Sequence, residues 1–166
     1  MRVEELTKRG EGGKLKFIAD SMLGRLARWM RFIGCDVTYY RAIGDSELVD
    51  LAQREGRIIL TKDTLLVIRR KAKGISLLVE GNSYKDQLRQ VIRHFSINPS
   101  RDLLTRCAEC NLVLSTIEKE KAKGSIPEYV YMTQETFSIC TGCHRIYWSA
   151  THKEAIITVL EEVVAD

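Results

Sequence analysis

The sequence has no long hydrophobic run and no marked excess of charge of either sign. Nowhere in its 166 residues does it approach the roughly 18 uncharged apolar residues of a membrane span, and its first residues lack the apolar segment of a secretory signal. We therefore expect a cytoplasmic protein that does not enter a membrane. Lys and Arg number 26 against 22 Asp and Glu, a net charge of +4, which permits a nucleic-acid partner without requiring one.

The signatures of several enzyme classes are also missing. The chain has no Walker loop and no GxGxxG fingerprint, and its 3 histidines do not fall in a Ser-His-Asp order. These absences disfavour P-loop, dinucleotide-dependent and serine-hydrolase chemistry. Metal-assisted chemistry is the type that the remaining residues support.

The cysteines show the clearest spacing pattern in the sequence. Four of the 5 cysteines form two CxxC pairs, Cys107 with Cys110 and Cys140 with Cys143, a spacing typical of structural zinc sites. A closed site of four cysteines has no open coordination position, so we expect the zinc to hold the fold and not to catalyse. His144 is an alternative ligand. A redox role for the pairs is a weaker alternative, because neither follows a thioredoxin-like strand.

From residue 15 the sequence alternates short apolar runs with amphipathic segments, which is typical of the strand-helix units of a parallel sheet. Strands are predicted at 15–19, 36–40, 57–61 and 75–79, each followed by a helix, the first capped by Ser21 and the last running from Ser83 to His94. This predicts a flexible tail over 1–14, an α/β domain over 15–98, a zinc ribbon over 103–152 and a C-terminal helix over 153–166. Cys35 is expected to be an inert core thiol.

Three aspartates lie close to the ends of the predicted strands. Asp20 directly follows the first strand, Asp45 lies after the second, two residues before Glu47, and Asp63 follows the third. Ligands of open α/β sheets collect at these strand ends, and carboxylates that converge there need a hard cation such as Mg²⁺ or Mn²⁺. Such a site could hydrolyse a phosphodiester. Aspartate is also a preferred helix N-cap, so a purely structural role is the alternative for each.

Basic and aromatic side chains are candidates for contact with RNA. Arg25, Arg28 and Arg31 recur every third residue on the helix after Asp20, which predicts a basic stripe that could hold a phosphate backbone; a solvated face with ion pairs is the alternative. The ribbon contains aromatic residues that could stack on bases, although we expect most of them to form its own core. They are Tyr129, Tyr131, Phe137, Tyr147 and Trp148.

Several segments together resemble a known family. They are FIADSMLGRLARWMR at 17–31, IGCDV at 33–37, DSEL at 45–48, ILTKD at 59–63 and the two CxxC pairs. The chain resembles the PIN-like ribonucleases named after the C-terminal domain of the Mut-seven exonuclease over most of residues 15–152. The resemblance implies an α/β fold with a PIN-like parallel sheet flanked by helices, followed by a small Cys₄ zinc ribbon.

The same resemblance implies metal-dependent hydrolysis of RNA. It implies acidic positions at Asp20 and Asp63, with a helix-borne acid at Asp45 or Glu47. A further acid that is common after the last strand is not an aspartate here, where Glu80 or Asn82 occupies the region.

The function predicted from the sequence is therefore a cytoplasmic ribonuclease with catalytic Mg²⁺ or Mn²⁺, structural zinc and RNA as its partner. A homodimer or a protein partner stays open. The alternative is a noncatalytic RNA- or protein-binding module that keeps the fold and the zinc knuckles while its aspartates cap helices.

Overall fold

The computed structural model describes residues 15–148 and 151–165, so the predicted tail over 1–14 lies outside the described residues. The first part of the chain alternates strands and helices. Its elements are β1 Lys16–Ala19, α1 Gly24–Phe32, β2 Asp36–Tyr39, α2 Asp45–Glu55, β3 Ile58–Thr61, α3 Thr64–Ile68, β4 Ser76–Leu78 and α4 Tyr84–His94. The second part contains β5 Ser115–Ile117, α5 Lys119–Ala122, α6 Glu128–Thr133, β6 Phe137–Ile139, β7 Ile146–Trp148 and α7 Thr151–Val164.

Strands β1 to β4 form a parallel sheet in the order β2-β1-β3-β4, which confirms the predicted α/β class. Phe17 of β1 lies opposite Val37 on one side and Ile58 on the other. All of β3 is buried, and β1 is buried except for Lys16, as expected for central strands that helices cover on both faces. The strand order reverses between β1 and β3, so the crevice in which such sheets bind ligands lies beyond the ends of these two strands.

The turn after β1 differs from the prediction that Ser21 caps the first helix. Asp20 is the cap, because its Oδ1 accepts a hydrogen bond from the Met22 amide at 2.8 Å. A 3₁₀ turn over Ser21–Leu23 follows, and α1 begins only at Gly24. Aspartate in extended backbone at this position satisfies an orphan amide of the turn, which leaves Ser21 exposed.

The second part contains a three-stranded antiparallel sheet in the order β5-β6-β7. The charged stretch over 118–124 lies in the connection between β5 and β6 and contains the short helix α5. Phe137 of β6 is buried, in agreement with the expectation that it forms part of the ribbon core, whereas Tyr129 is 77% exposed.

Helix α7 returns to the α/β part of the chain after the ribbon. Its Ile156, Leu160 and Val163 belong to the same buried cluster as the sheet, and the Arg89 guanidinium on α4 donates to the Val163 carbonyl at 3.1 Å. The segment predicted as a separate C-terminal helix therefore completes the first core. Within the described ranges, no helix combines the length and the apolar character that crossing a membrane requires.

Candidate functional site

The four paired cysteines come together in one cluster. The Sγ atoms of Cys107, Cys110, Cys140 and Cys143 all lie within 4.8 Å of one another, and those of Cys107 and Cys143 are 3.6 Å apart. Zinc–sulfur bonds of about 2.3 Å in a tetrahedron place sulfurs about 3.8 Å apart, so the cluster has the size of a zinc site. All four are free thiols, and His144 is not a member of the cluster.

Two knuckles with the same backbone geometry supply these sulfurs. The Asn111 amide donates to the Cys107 carbonyl at 3.0 Å, and the His144 amide donates to the Cys140 carbonyl at 2.9 Å. Asn111 and His144 both have a left-handed backbone, with φ of 64° and 58°, a conformation that these residue types adopt more readily than most. Each knuckle therefore aims its two sulfurs through a local turn.

The pKa values of the thiols also favour a cation bound between them. Burial raises the pKa of Cys107, but hydrogen bonds from the Tyr147 hydroxyl and from two backbone amides outweigh it and lower the pKa to about 7. The hydrogen bond with Cys143 raises the pKa of Cys110 to about 12. Sulfurs this close cannot all ionise without a positive charge between them, which is what a bound zinc ion supplies.

Arg31 joins the first knuckle to the α/β domain. Its side chain is buried, and its guanidinium donates to the carbonyls of Val37, Ala108 and Glu109, each at 2.9 Å. The prediction that Arg31 belongs to an exposed basic stripe is therefore wrong. Its donors bind backbone carbonyls on both sides of the junction and do not face solvent.

Asn111 and Asp36 extend this junction. The Asn111 Oδ1 accepts from the Val37 amide at 2.9 Å, and its Nδ2 donates to Asp36 Oδ1 at 2.7 Å. Burial raises the pKa of Asp36, but hydrogen bonds from Arg57 and Asn111 outweigh it and hold the pKa below the ordinary value. Sequence reasoning missed both residues. Asn111 could have been identified from its position directly after the first CxxC pair, because a residue with a left-handed backbone ends the turn there.

Asp20 and Asp63 flank the hydroxyl of Thr61 at the switch point. Asp20 is 9% exposed, and its Oδ2 accepts from Thr61 Oγ1 at 2.5 Å and from the Lys62 amide at 3.0 Å. The Asp63 amide donates to the same Thr61 oxygen at 2.9 Å, while its Oδ1 accepts from the Leu65 amide at 2.7 Å. We call Asp20 and Asp63 the acid pair. Thr61, which links them, was not predicted from the sequence.

Asp45 does not join the acid pair in this structure. It lies in the first turn of α2 with the exposed Glu47, and it forms an ion pair with Arg69 at 2.6 Å. Among the described residues, the four cysteines are the only group of three or more possible ligands whose atoms lie within 4.8 Å of one another. The predicted cluster of three carboxylates is thus not assembled here. The Asp20 carboxylate and the Asp63 backbone amide both contact the Thr61 hydroxyl.

The region after β4 holds a cation. The Lys62 ammonium donates to the Gly81 carbonyl at 3.0 Å and to Asn82 Oδ1 at 3.2 Å. Glu80 is exposed, and its amide donates to the Gln90 side chain. A positive side chain therefore lies beside the strand end at which the resemblance implied a further acid.

Two of the three predicted arginines remain on the surface of α1. The Arg25 guanidinium lies 4.1 Å from the centre of the Tyr84 ring, on which Trp29 also stacks. Arg28 is exposed, with its Nη2 3.5 Å from Glu109 Oε1. The basic stripe is reduced to these two residues, of which Arg25 lies five residues after Asp20 in the chain.

The chain matches the sequence model described as the Mut7-C RNAse domain over residues 15–160, which include the acid pair and all four clustered cysteines. The chain belongs to the Mut7-C RNAse domain family. This membership confirms the resemblance and indicates a nuclease or RNA-related function for this Mut7-C domain.

A curated relative agrees with the family. The human protein named exonuclease mut-7 homolog is 30% identical over 104 residues, which cover 58% of this chain and 12% of the human protein. The Mut7-C domain described here therefore spans only a small part of that relative's length. No solved structure matches the chain.

Proposed function

We propose that this Mut7-C domain hydrolyses RNA phosphodiester bonds with a divalent cation, Mg²⁺ or Mn²⁺, held at the acid pair. The observation that carries the proposal is that Asp20 and Asp63 follow neighbouring strands at the β1–β3 switch point, where the Thr61 hydroxyl donates to the Asp20 carboxylate and accepts from the Asp63 backbone amide. Open α/β sheets bind their ligands in this crevice. In a chain of an RNAse-domain family, RNA is the substrate class that fits such a site.

Two carboxylates are sufficient ligands for the ion. Mg²⁺ usually keeps several waters and is held by one or two carboxylates together with substrate phosphates. Asp63 Oδ2 has no hydrogen-bond donor among the described residues, so it is the oxygen with most capacity left, and Asp20 would contribute a remaining lone pair. When bound, the ion would activate a water and offset charge on the phosphodiester.

Neighbouring residues orient the Asp20 carboxylate and provide positive charge near the acid pair. Hydrogen bonds from Met22, Thr61 and Lys62 hold the Asp20 carboxylate in one orientation. The Lys62 ammonium lies beside the next strand end, and Arg25 follows on the first turn of α1. Lys62 is adjacent to Asp63 in the chain, and Arg25 lies five residues after Asp20. We assign to Lys62 and Arg25 the task of holding the RNA phosphates beside the acid pair.

A helix-borne acid would complete the site. Asp45 and Glu47 both lie in the first turn of α2, at the same edge of the sheet as the acid pair. Glu47 is exposed, whereas Asp45 would first have to release Arg69. We assign Asp45 or Glu47 to an outer ligand position, and Arg25 and Arg28 to contact with the RNA backbone.

The substitution Asp63→Asn tests the proposal with little risk to the fold. Asparagine caps a helix about as well as aspartate, so the bond to the Leu65 amide should remain. We expect the variant to melt like the native protein but to lose Mg²⁺-dependent cleavage of a fluorescein-labelled single-stranded RNA. Asp50→Asn, at an exposed ion pair with Lys71, is the matched control and should cleave normally. Equal cleavage by both variants would refute the assignment.

A noncatalytic RNA-binding module is the second candidate. It is favoured by the observation that Asp20 and Asp63 both cap helices, which gives each a structural reason to be an aspartate. This candidate predicts RNA binding without cleavage at any concentration of Mg²⁺ or Mn²⁺. The proposed hydrolysis predicts that cleavage appears on addition of either ion.

A further inference from the structure

A cleft of about 640 Å³ lies between the α/β domain and the zinc ribbon. Its volume falls in the range of about 300–1,000 Å³ that is usual for ligand pockets. Helix α1 contributes Arg28 and Phe32, and the ribbon contributes Arg145, Tyr147 and Trp148. None of the carboxylates discussed above lines this junction cleft, so the proposed hydrolysis leaves it without a role.

The junction cleft is positively charged. Arg28, Arg145 and Lys153 line it, and no carboxylate does so among the described residues. Glu109 lies at its edge, where its Oε1 accepts from Arg145 at 3.0 Å and lies 3.5 Å from Arg28. All three side chains of this contact are more than 40% exposed, and exposed ion pairs contribute little. A phosphate could therefore replace Glu109 as the partner of either arginine.

Trp148 gives the cleft an aromatic ring on which a base can stack. Trp148 is half-buried, and its ring does not pack against another aromatic ring of the described residues. Tyr147 is held in place by its hydroxyl, which lies 3.1 Å from Cys107 Sγ. Tyr147 and Trp148 are consecutive residues of β7, so their side chains leave opposite faces of the strand and do not form one surface. A partly open tryptophan near arginines is a combination that binds an unpaired base and its phosphate.

Helix α1 connects the junction cleft to the acid pair. It runs over nine residues from Gly24, four residues after Asp20, to Phe32 in the cleft. At 1.5 Å per residue it spans about 12 Å, a distance that a few nucleotides of RNA can bridge. Arg25 and Arg28 lie on this helix, so an RNA chain that runs along it from the acid pair to the cleft passes two arginine side chains.

We propose that the junction cleft is a base-binding subsite for single-stranded RNA, which it holds a few nucleotides from the acid pair. This inference rests on the proposed function, which identifies RNA as the ligand and the acid pair as the point from which the distance is counted. The residues of the subsite are Trp148 as the stacking platform and Arg28 and Arg145 as the phosphate contacts.

Binding is measured on the full, zinc-loaded chain in an Asp63→Asn background, so that cleavage does not consume the probe. The probe is a fluorescein-labelled ten-nucleotide oligouridine, followed by fluorescence anisotropy. Trp148→Ala should weaken binding by about 5-fold to about 150-fold, the cost of losing one stacked base. Arg28→Ala with Arg145→Ala should also reduce the salt slope of log Kd by about 0.7 for each lost phosphate contact.

Two controls separate binding from folding. Arg54→Ala removes the same charge at the far end of α2 and should leave the Kd unchanged. Trp148→Phe keeps an aromatic ring in β7 and should retain most of the affinity. Should Trp148→Ala melt early, ultraviolet cross-linking of a 4-thiouridine oligonucleotide to the parent protein identifies the contact, which we expect at Trp148 or Tyr147.

Unchanged affinity in the arginine and tryptophan variants, or cross-links that all lie outside the cleft, would overturn the subsite. That result is also expected if the cleft holds a peptide. If affinity is unchanged in these variants but the native protein cleaves RNA, the subsite is refuted and the proposed hydrolysis is not. Conversely, loss of RNA affinity in these variants, from a protein that never cleaves RNA, would support the subsite and refute the hydrolysis.

Discussion

The zinc ligands and the acidic residues are assembled in different ways. Each cysteine pair is aimed by its own tight turn, and the four sulfurs lie together within 4.8 Å. The acids come from the ends of separate strands, and each also has a structural partner: Asp20 and Asp63 cap helices, and Asp45 pairs with Arg69. The four sulfurs are thus already gathered in this structure, whereas the acidic residues keep structural partners and do not form one cluster.

Loss of the zinc site is expected to have the largest effect. Cys107→Ser removes a buried ligand, and structural zinc contributes about 10–16 kcal/mol to the folding of small zinc domains at neutral pH. We expect the variant to lose its zinc, measured by plasma mass spectrometry, and the ribbon to unfold, measured by circular dichroism. Cys35→Ser is the control, because Cys35 lies outside the cluster and should leave the zinc content unchanged.

The two members of the acid pair should differ in stability. In Asp20→Asn, an amide donor replaces one acceptor that faces the Thr61 hydroxyl and the Lys62 amide, so we expect a loss of about 2 kcal/mol or more. Asp63→Asn keeps the helix cap and should change the free energy of unfolding by less than about 0.5 kcal/mol. Urea unfolding measures both, and equal losses would show that the Asp20 contacts are not what holds the strand ends together.

The two knuckles offer a matched comparison of their own. Asn111→Gly keeps the left-handed backbone but removes the bonds to Val37 and Asp36, so it should cost about 1–3 kcal/mol in urea unfolding. His144→Gly makes the same change of backbone freedom in the second knuckle and should cost less than about 1 kcal/mol. If the two variants were equally stable, the junction would not depend on Asn111.

Release of Asp45 is expected to have the smallest effect on stability. Arg69→Ala breaks an exposed ion pair, so the free energy of unfolding should change by less than about 1 kcal/mol. If Asp45 is an outer ligand, its release should lower the Mg²⁺ concentration that gives half-maximal RNA cleavage. Arg70→Ala removes the neighbouring charge and is the control. A higher Mg²⁺ requirement in Arg69→Ala than in the control would argue against Asp45 as a ligand.

The sequence was sufficient for the features that depend on local pattern. Alternating apolar runs predicted the four parallel strands to within one residue at each end, and the CxxC spacing predicted the sulfur cluster. Helical periodicity also predicted an exposed stripe, but Arg31 on that stripe is buried. Periodicity places a residue on one face of a helix and does not reveal that another part of the chain covers that face.

Long-range contacts could not be predicted in the same way. Thr61 joins Asp20 to Asp63 across the sheet, and Asn111 reaches Asp36 across 75 residues of sequence. Both are ordinary polar residues whose roles follow from tertiary packing. The partners of Asp45 depend likewise on where α2 and α3 meet, so the sequence could name this acid but not the ion pair with Arg69 that it forms.

The most direct measurement is a crystal structure of the zinc-loaded chain soaked with Mn²⁺ in the presence of a phosphorothioate RNA that resists cleavage. Anomalous scattering distinguishes manganese from zinc at their absorption edges. Our account predicts a manganese peak at the ends of β1 and β3, in contact with carboxylate oxygens of Asp20 or Asp63 and with an RNA phosphate. Bound RNA with no manganese at the acid pair would contradict it.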